Sequence, residues 1–105
     1  VQIENLLKQK LGQYFEHIVV IGDGRKFLSV LLNPGTKTPT YKIAILKDAI
    51  NFANSKAQSN AHTIKKWFIT KDKFTVGNEL TPTLKLRREY IQSKYKKQID
   101  ELYKI

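Results

Sequence analysis

The chain has 105 residues, no cysteine and a formal net charge of +10. This length suits one domain with a single core, and the lack of cysteine excludes disulfides, thiolate nucleophiles and cysteine-ligated metals. No apolar run approaches the roughly 18 residues that a membrane span needs.

The first half of the chain predicts a helix, a hairpin and a second helix. Apolar residues at three- and four-residue steps indicate an amphipathic helix over residues 2–14. Two β-branched runs follow, His17–Ile21 and Lys26–Leu32, and the Asp-Gly pair in the segment Gly22–Arg25 between them favours a hairpin turn. Both runs are apolar at successive positions, so we expect helices to cover both faces of the sheet.

A loop over residues 33–40, containing Pro34, Gly35 and Pro39, separates the hairpin from a second helix that begins near Ile43. The polar segment 55–63 predicts the end of that helix.

The second half predicts one more strand and one more helix. Residues 65–70 form the strand, and residues 71–79 form a loop with a turn at Gly77-Asn78. The last helix is predicted from about Leu86 to Tyr103, with a pattern that allows a break near Lys96. The order helix, strand, strand, helix, strand, helix describes an α+β domain: a small three-stranded sheet, made of a hairpin plus one strand, packed with three helices.

The segment Leu-Thr-Pro-Thr-Leu-Lys-Leu-Arg-Arg, residues 80–88, joins the loop to the last helix. Pro82 lacks an N–H group and biases Thr81 towards extended backbone, so the helix is expected to begin at Leu86 or Arg87. Lys85 then lies at the junction, where its ammonium group can reach a partner. The residues alone leave Lys85 open between this role and that of a solvated lysine in a basic helix start.

With Ile91, Lys94-Tyr95 and Leu102-Tyr103 downstream, this segment resembles the end of AMP-forming long-chain fatty-acid–CoA ligases, members of the adenylate-forming superfamily. The hairpin residues 18–32 and the segment 51–69 are also similar to these ligases. Many relatives have glycine before the lysine, where this chain has Leu84; long-chain ligases often have a bulky residue there.

The resemblance implies that the whole chain, residues 1–105, is the small C-terminal domain of such an enzyme, with Lys85 as the catalytic lysine of acyl-adenylate formation. ATP with magnesium, a fatty acid and coenzyme A are the implied substrates, and a large N-terminal domain of the same chain is the implied partner. We expect the hinge and the large domain to lie before Val1, the isolated chain to bind no cofactor and to be inactive, and the enzyme to be cytoplasmic, with peripheral membrane contact as a further option.

Other candidate sites are weaker. Arg87 and Arg88 could hold a phosphate at the helix start, or could form a solvated basic face. Gly22-Asp23-Gly24 is too short for a phosphate loop. His17 and His62 lack the spacing of a metal site, and Ser29 has no nucleophile elbow around it, so we expect neither a metal ion nor a triad.

An alternative function is a small basic nucleic-acid-binding module. The net charge of +10 and the basic residues interleaved with aromatics in Lys65–Phe68 and Arg87–Tyr95 are compatible with it. The resemblance favours the ligase over this alternative, and the implied partners include no nucleic acid.

Overall fold

The computed structural model describes residues 2–22, 24–35, 43–57 and 63–104. Asp23 of the expected turn, residues 36–40 of the expected loop, residues 58–62 after the second helix and His62 lie outside this part.

Seven elements follow one another along the described chain: α1 (Gln2–Leu11), β1 (His17–Ile21), β2 (Leu28–Asn33), α2 (Ile43–Asn54), β3 (Ile64–Ile69), α3 (Arg88–Lys94) and α4 (Lys96–Leu102). The α+β class and the predicted order of elements are confirmed. The predicted last helix is two short helices that meet at Tyr95, next to Lys96, where the sequence pattern allowed a break.

The sheet has the order β1-β2-β3, with β1 antiparallel and β3 parallel to the central β2. The hairpin is confirmed, and Ile18 lies opposite Leu32. Its second strand begins at Leu28 rather than Lys26, because the Phe27 carbonyl accepts from the Tyr103 hydroxyl instead of from a neighbouring strand. The connection contains a turn closed by the Arg25 N–H donating to the Gly22 carbonyl. Gly24 in that turn has a φ of 70°, the left-handed conformation that an Asp-Gly turn favours.

Alternate residues of the strands enter two separate cores, as strand geometry requires. Ile18, Val30 and Leu32 pack with α1 and α2 on one face, whereas Val19, Ile21 and Leu31 pack with α3 and α4 on the other. Helices therefore cover both faces of the sheet, as the successive apolar residues predicted.

Side chains fasten the helix ends to the sheet. The Asn54 amide, at the end of α2, accepts from the Ile64 N–H at 2.8 Å and donates to its carbonyl at 3.0 Å. Tyr103, after α4, donates its hydroxyl to the Phe27 carbonyl at 2.7 Å, and its ring stacks on that of Phe27. Because Leu28 pairs with Ile64, both contacts lie at the same end of the sheet. They hold α2 and α4 against its opposite faces.

Helix α1 ends at Leu11 rather than at residue 14. Gly12 follows it, and its N–H still donates to the Lys8 carbonyl at 2.9 Å. A Cβ atom at Gly12 would lie 2.6 Å from that carbonyl oxygen, so glycine is needed where the chain leaves the helix. The chain then turns so that Phe15, which is buried, enters the first core.

Candidate active site

Lys85 lies beside the tip of a very short hairpin. Leu80 and Leu86 form an antiparallel bridge at its base. Above them, the Thr81 N–H donates to the Lys85 carbonyl at 2.8 Å, and the Lys85 N–H donates to Thr81 Oγ1 at 3.0 Å. The residues Pro82, Thr83 and Leu84 form the three-residue loop between them. We call residues 80–86 the lysine hairpin.

The conformation of this loop follows partly from its sequence. Pro82 is the second residue of a four-residue turn that the Leu84 N–H closes by donating to the Thr81 carbonyl at 2.8 Å, and the φ that proline imposes suits that position. Three-residue hairpin loops of this kind end in a left-handed residue, usually glycine. Here that residue is Leu84, with a φ of 66°.

Leu84 is the one non-glycine residue with positive φ in the part of the chain that the structure describes. A left-handed backbone brings Cβ close to a carbonyl oxygen and costs an ordinary L-residue about 1–2 kcal/mol. The Leu84 side chain is 65% exposed, so little burial within this domain offsets the cost.

The Lys85 side chain is exposed, and among the described residues its ammonium group has neither a hydrogen bond nor an ion pair. It borders a cleft of about 640 Å³ whose lining also includes Lys8, His17 and Arg88. The backbone of Lys85 is thus held rigidly, while its charge stays available to an anion outside this domain.

Arg88, the first residue of α3, is committed to an ion pair within the domain. Its guanidinium donates to both carboxylate oxygens of Glu4 in α1, at 2.6 and 2.7 Å. Glu4 also accepts the N–H of Val20, at the outer edge of β1. Burial raises the pKa of the Glu4 carboxyl, and the hydrogen bonds from Arg88 and Val20 lower it. The lowering is the larger effect, so the pKa lies below the ordinary 4.5.

Arg87 closes the loop before the lysine hairpin. Its Nη1 donates to the carbonyls of Gly77 and Asn78 at 2.8 and 2.9 Å, and its N–H donates to the Glu79 carbonyl. The guanidinium lies 5.1 Å from the centre of the Tyr90 ring. Phosphate binding by Arg87 or Arg88 remains a prediction, and both side chains already have partners within the domain.

Glu79 anchors the other side of the lysine hairpin. Its carboxylate is buried, accepts the Thr75 N–H at 3.0 Å and pairs with the Lys94 ammonium of α3. Burial raises the pKa of Glu79, but the hydrogen bonds from Lys94 and Thr75 more than reverse that effect. The same pair raises the pKa of Lys94. Helix α3 is thereby fixed beneath the hairpin.

The sequence did not single out Glu4, Glu79 or Lys94 as part of this site. Glu4 could be understood as a favourable charge in the first turn of a helix, and Glu79 as a loop residue. The one available signal was the presence of an acidic residue directly before the 80–88 segment.

The described residues contain no group of three or more histidine, aspartate or glutamate side chains that could hold a metal ion. His17 instead stacks on Phe74, with ring centres 5.1 Å apart, and His62 lies outside the described residues. No helix of the described ranges is long and apolar enough to cross a membrane.

The described chain is thus a mixed three-stranded sheet with helices on both faces and an exposed lysine hairpin. The family model for the AMP-binding enzyme C-terminal domain matches residues 1–105, and the chain belongs to this family.

Curated relatives include long-chain-fatty-acid–CoA ligases. The chain is 31% identical to the ligase ACSBG2 of Rattus norvegicus over 98% of its own length and 21% of the relative. It is 30% identical to ACSBG1 of the same species, over 98% of its length and 19% of the relative. The chain thus spans about a fifth of the length of these relatives.

Solved structures support the fold. The adenylation domain of a carboxylate reductase from Mycobacterium chelonae superposes with a TM-score of 0.73 at 20% identity, over 97% of this chain and 17% of that one. The A-PCP didomain of the carboxylic acid reductase from Segniliparus rugosus, in complex with AMP, gives a TM-score of 0.72 at 20% identity, over 97% and 15%.

Proposed function

We propose that this chain is the C-terminal domain of a long-chain fatty-acid–CoA ligase and that Lys85 is its catalytic lysine. The observation that carries the proposal is an exposed ammonium group without a partner among the described residues, placed beside the tip of a rigid hairpin. The similarity to long-chain ligases over 98% of the chain supports the reaction class.

The proposed reaction has two steps. A carboxylate oxygen of the fatty acid attacks the α-phosphorus of ATP, and the bond from that phosphorus to the bridging oxygen breaks, giving acyl-adenylate and pyrophosphate. The sulfur of coenzyme A then attacks the acyl carbon, AMP leaves, and the thiol proton is released.

Lys85 acts in the first step. Two anions, the carboxylate and the α-phosphate, must approach each other while negative charge moves onto the pyrophosphate. A lysine ammonium about 4 Å from such a charge contributes on the order of 4 kcal/mol at an effective dielectric constant of 20. It lowers the barrier because the charge it faces develops in the transition state.

The remaining parts of the site belong to the proposed large domain. That domain would bind the acyl chain and ATP, and magnesium would arrive with ATP, since the described residues form no metal site of their own. A reorientation of the small domain between the two steps would move Lys85 away, so we expect the second step to depend on it far less.

The reaction class is tested with the full-length protein. With a long-chain fatty acid, ATP and coenzyme A, we expect AMP, pyrophosphate and acyl-CoA in equal amounts. Formation of ADP, or nucleotide turnover that does not depend on the fatty acid, would contradict the proposal. The isolated 105-residue chain serves as the control, because we expect it to form no acyl-adenylate.

A further inference from the structure

Exposed apolar side chains are concentrated around the lysine hairpin. Four large hydrophobic side chains are exposed in the described ranges, and three of them, Val76, Leu84 and Tyr90, lie within fifteen residues of chain. Val76 bridges to Leu80 at the hairpin base. An apolar surface next to the exposed Lys85 ammonium has the composition of a contact region rather than of a solvated loop.

Leu84 is the informative member of this group. It combines a left-handed backbone with a side chain that is 65% exposed. Glycine or asparagine would form the same turn with less strain. An exposed leucine adds no packing within this domain, so the gain that offsets the strain has to come from a contact made outside it.

The position of Leu84 indicates what that contact is. Leu84 precedes Lys85 and lines the same cleft. If Lys85 reaches substrates held by a large domain, the loop tip has to approach that domain closely, and Leu84 arrives with it. The aligned part makes up only 21% of the relative ACSBG2, which leaves room for such a domain.

We propose that Leu84 is a positioning residue: its side chain enters an apolar pocket of the large domain during adenylation and so sets the reach of Lys85. This inference depends on the proposed function. Leucine suits the role because it is apolar but unbranched at Cβ, and β-branched residues tolerate left-handed backbone poorly.

The test uses the full-length protein with the substitutions Leu84→Gly, Leu84→Asn and Leu84→Met. Glycine and asparagine keep the turn but remove the apolar group, and methionine keeps both. For Gly and Asn we expect adenylation, measured as pyrophosphate release, to slow about tenfold in kcat. Thioester formation from preformed acyl-adenylate should stay unchanged. The Met variant should remain within about twofold of the parent in both steps.

Ile43→Asn is the matched control, because Ile43 is 60% exposed and begins α2 on the opposite face of the sheet. It should leave both steps unchanged. Adenylation at the parental rate in Leu84→Gly and Leu84→Asn would overturn the inference, as would an equal loss in both half-reactions or an equal loss in the Met variant.

Lys85→Ala, measured alongside, separates this inference from the proposed function. If Lys85→Ala slows adenylation and the Leu84 variants do not, only the positioning role fails. If Lys85→Ala leaves adenylation unchanged, the proposed function fails as well.

Discussion

Glu4 and Arg88 form a two-hydrogen-bond ion pair that joins the first helix to the start of the third, 84 residues later in the chain. The Glu4 side chain is 8% exposed and that of Arg88 is 42% exposed. Glu4 also accepts the Val20 N–H, so the pair connects α1 with the edge of the sheet. Arg88, its other member, lies only three positions after Lys85. The pair therefore supports the lysine hairpin from below.

The first prediction concerns the removal of Arg88. Arg88→Met leaves the buried Glu4 carboxylate without its cation, and we expect the free energy of unfolding of the 105-residue chain to fall by about 1–3 kcal/mol. This is less than the loss for a fully buried pair, because water screens the half-exposed arginine. Urea denaturation measures it. Arg25→Met, which removes an exposed pair with Asp100, is the control and should have a smaller effect.

The second prediction concerns pH. The pKa values of Glu4 and Glu79 lie below the ordinary 4.5 in the folded state. A carboxyl group with a lowered folded-state pKa stabilises the protein fully above its unfolded pKa, and that contribution is lost as the pH falls through the folded-state value. We therefore expect stability to decline below about pH 4.5. The decline should be shallower in Glu4→Gln than in the parent chain. An identical slope in the variant and the parent would show that protonation of Glu4 does not contribute to the decline.

The third prediction concerns Lys94. Lys94→Met removes the cation paired with Glu79, whose side chain is 2% exposed, and should destabilise the chain by about 2–4 kcal/mol. Lys97→Met on α4 provides a matched loss of charge without a buried partner. The double variant Glu79→Gln with Lys94→Met should recover part of the stability, since no buried charge then remains. A double variant less stable than Lys94→Met would show that the buried charge is not the cause.

The fourth prediction is that Leu84→Gly stabilises the isolated chain. Glycine relieves about 1–2 kcal/mol of left-handed strain, which exceeds the entropic cost of the more flexible unfolded chain. We therefore expect the free energy of unfolding to rise by about 0.5–1 kcal/mol. For a domain of this size that gain raises Tm by roughly 2–8 °C. Calorimetry measures the shift, and a lower Tm would show that the leucine makes a stabilising contact within this domain.

Most of the fold could be predicted because its signals are local. The spacing of apolar residues indicated α1 and α2, and the β-branched runs around Gly22 and Gly24 indicated the hairpin. The parallel alignment of β3 with β2 could not be derived in this way, because it depends on where α2 returns the chain. The pattern allowed a break near Lys96, and the structure has it at Tyr95 although no proline or glycine marks it. There the ring enters the second core, between two short helices.

The parts of the site that depend on residues adjacent in sequence were predictable. Pro82 and the basic run after it placed Lys85 at a junction, and the structure shows it on an exposed hairpin. Helix α3 begins at Arg88, one residue after the predicted limit, because the backbone of Arg87 is held by Glu79. The partners of Arg88 and Lys94 were not predictable, because long-range pairing leaves no local pattern. The left-handed backbone at Leu84 had one signal, the glycine that many relatives have at this position, although leucine itself gives none.

The most direct measurement is of the two half-reactions in the full-length protein carrying Lys85→Ala. We expect pyrophosphate release from fatty acid and ATP to slow by roughly a hundredfold or more, while thioester formation from preformed acyl-adenylate changes little. Lys97→Ala, which removes an exposed lysine from α4, should leave both steps unchanged. Pyrophosphate release at the parental rate in Lys85→Ala would contradict the account.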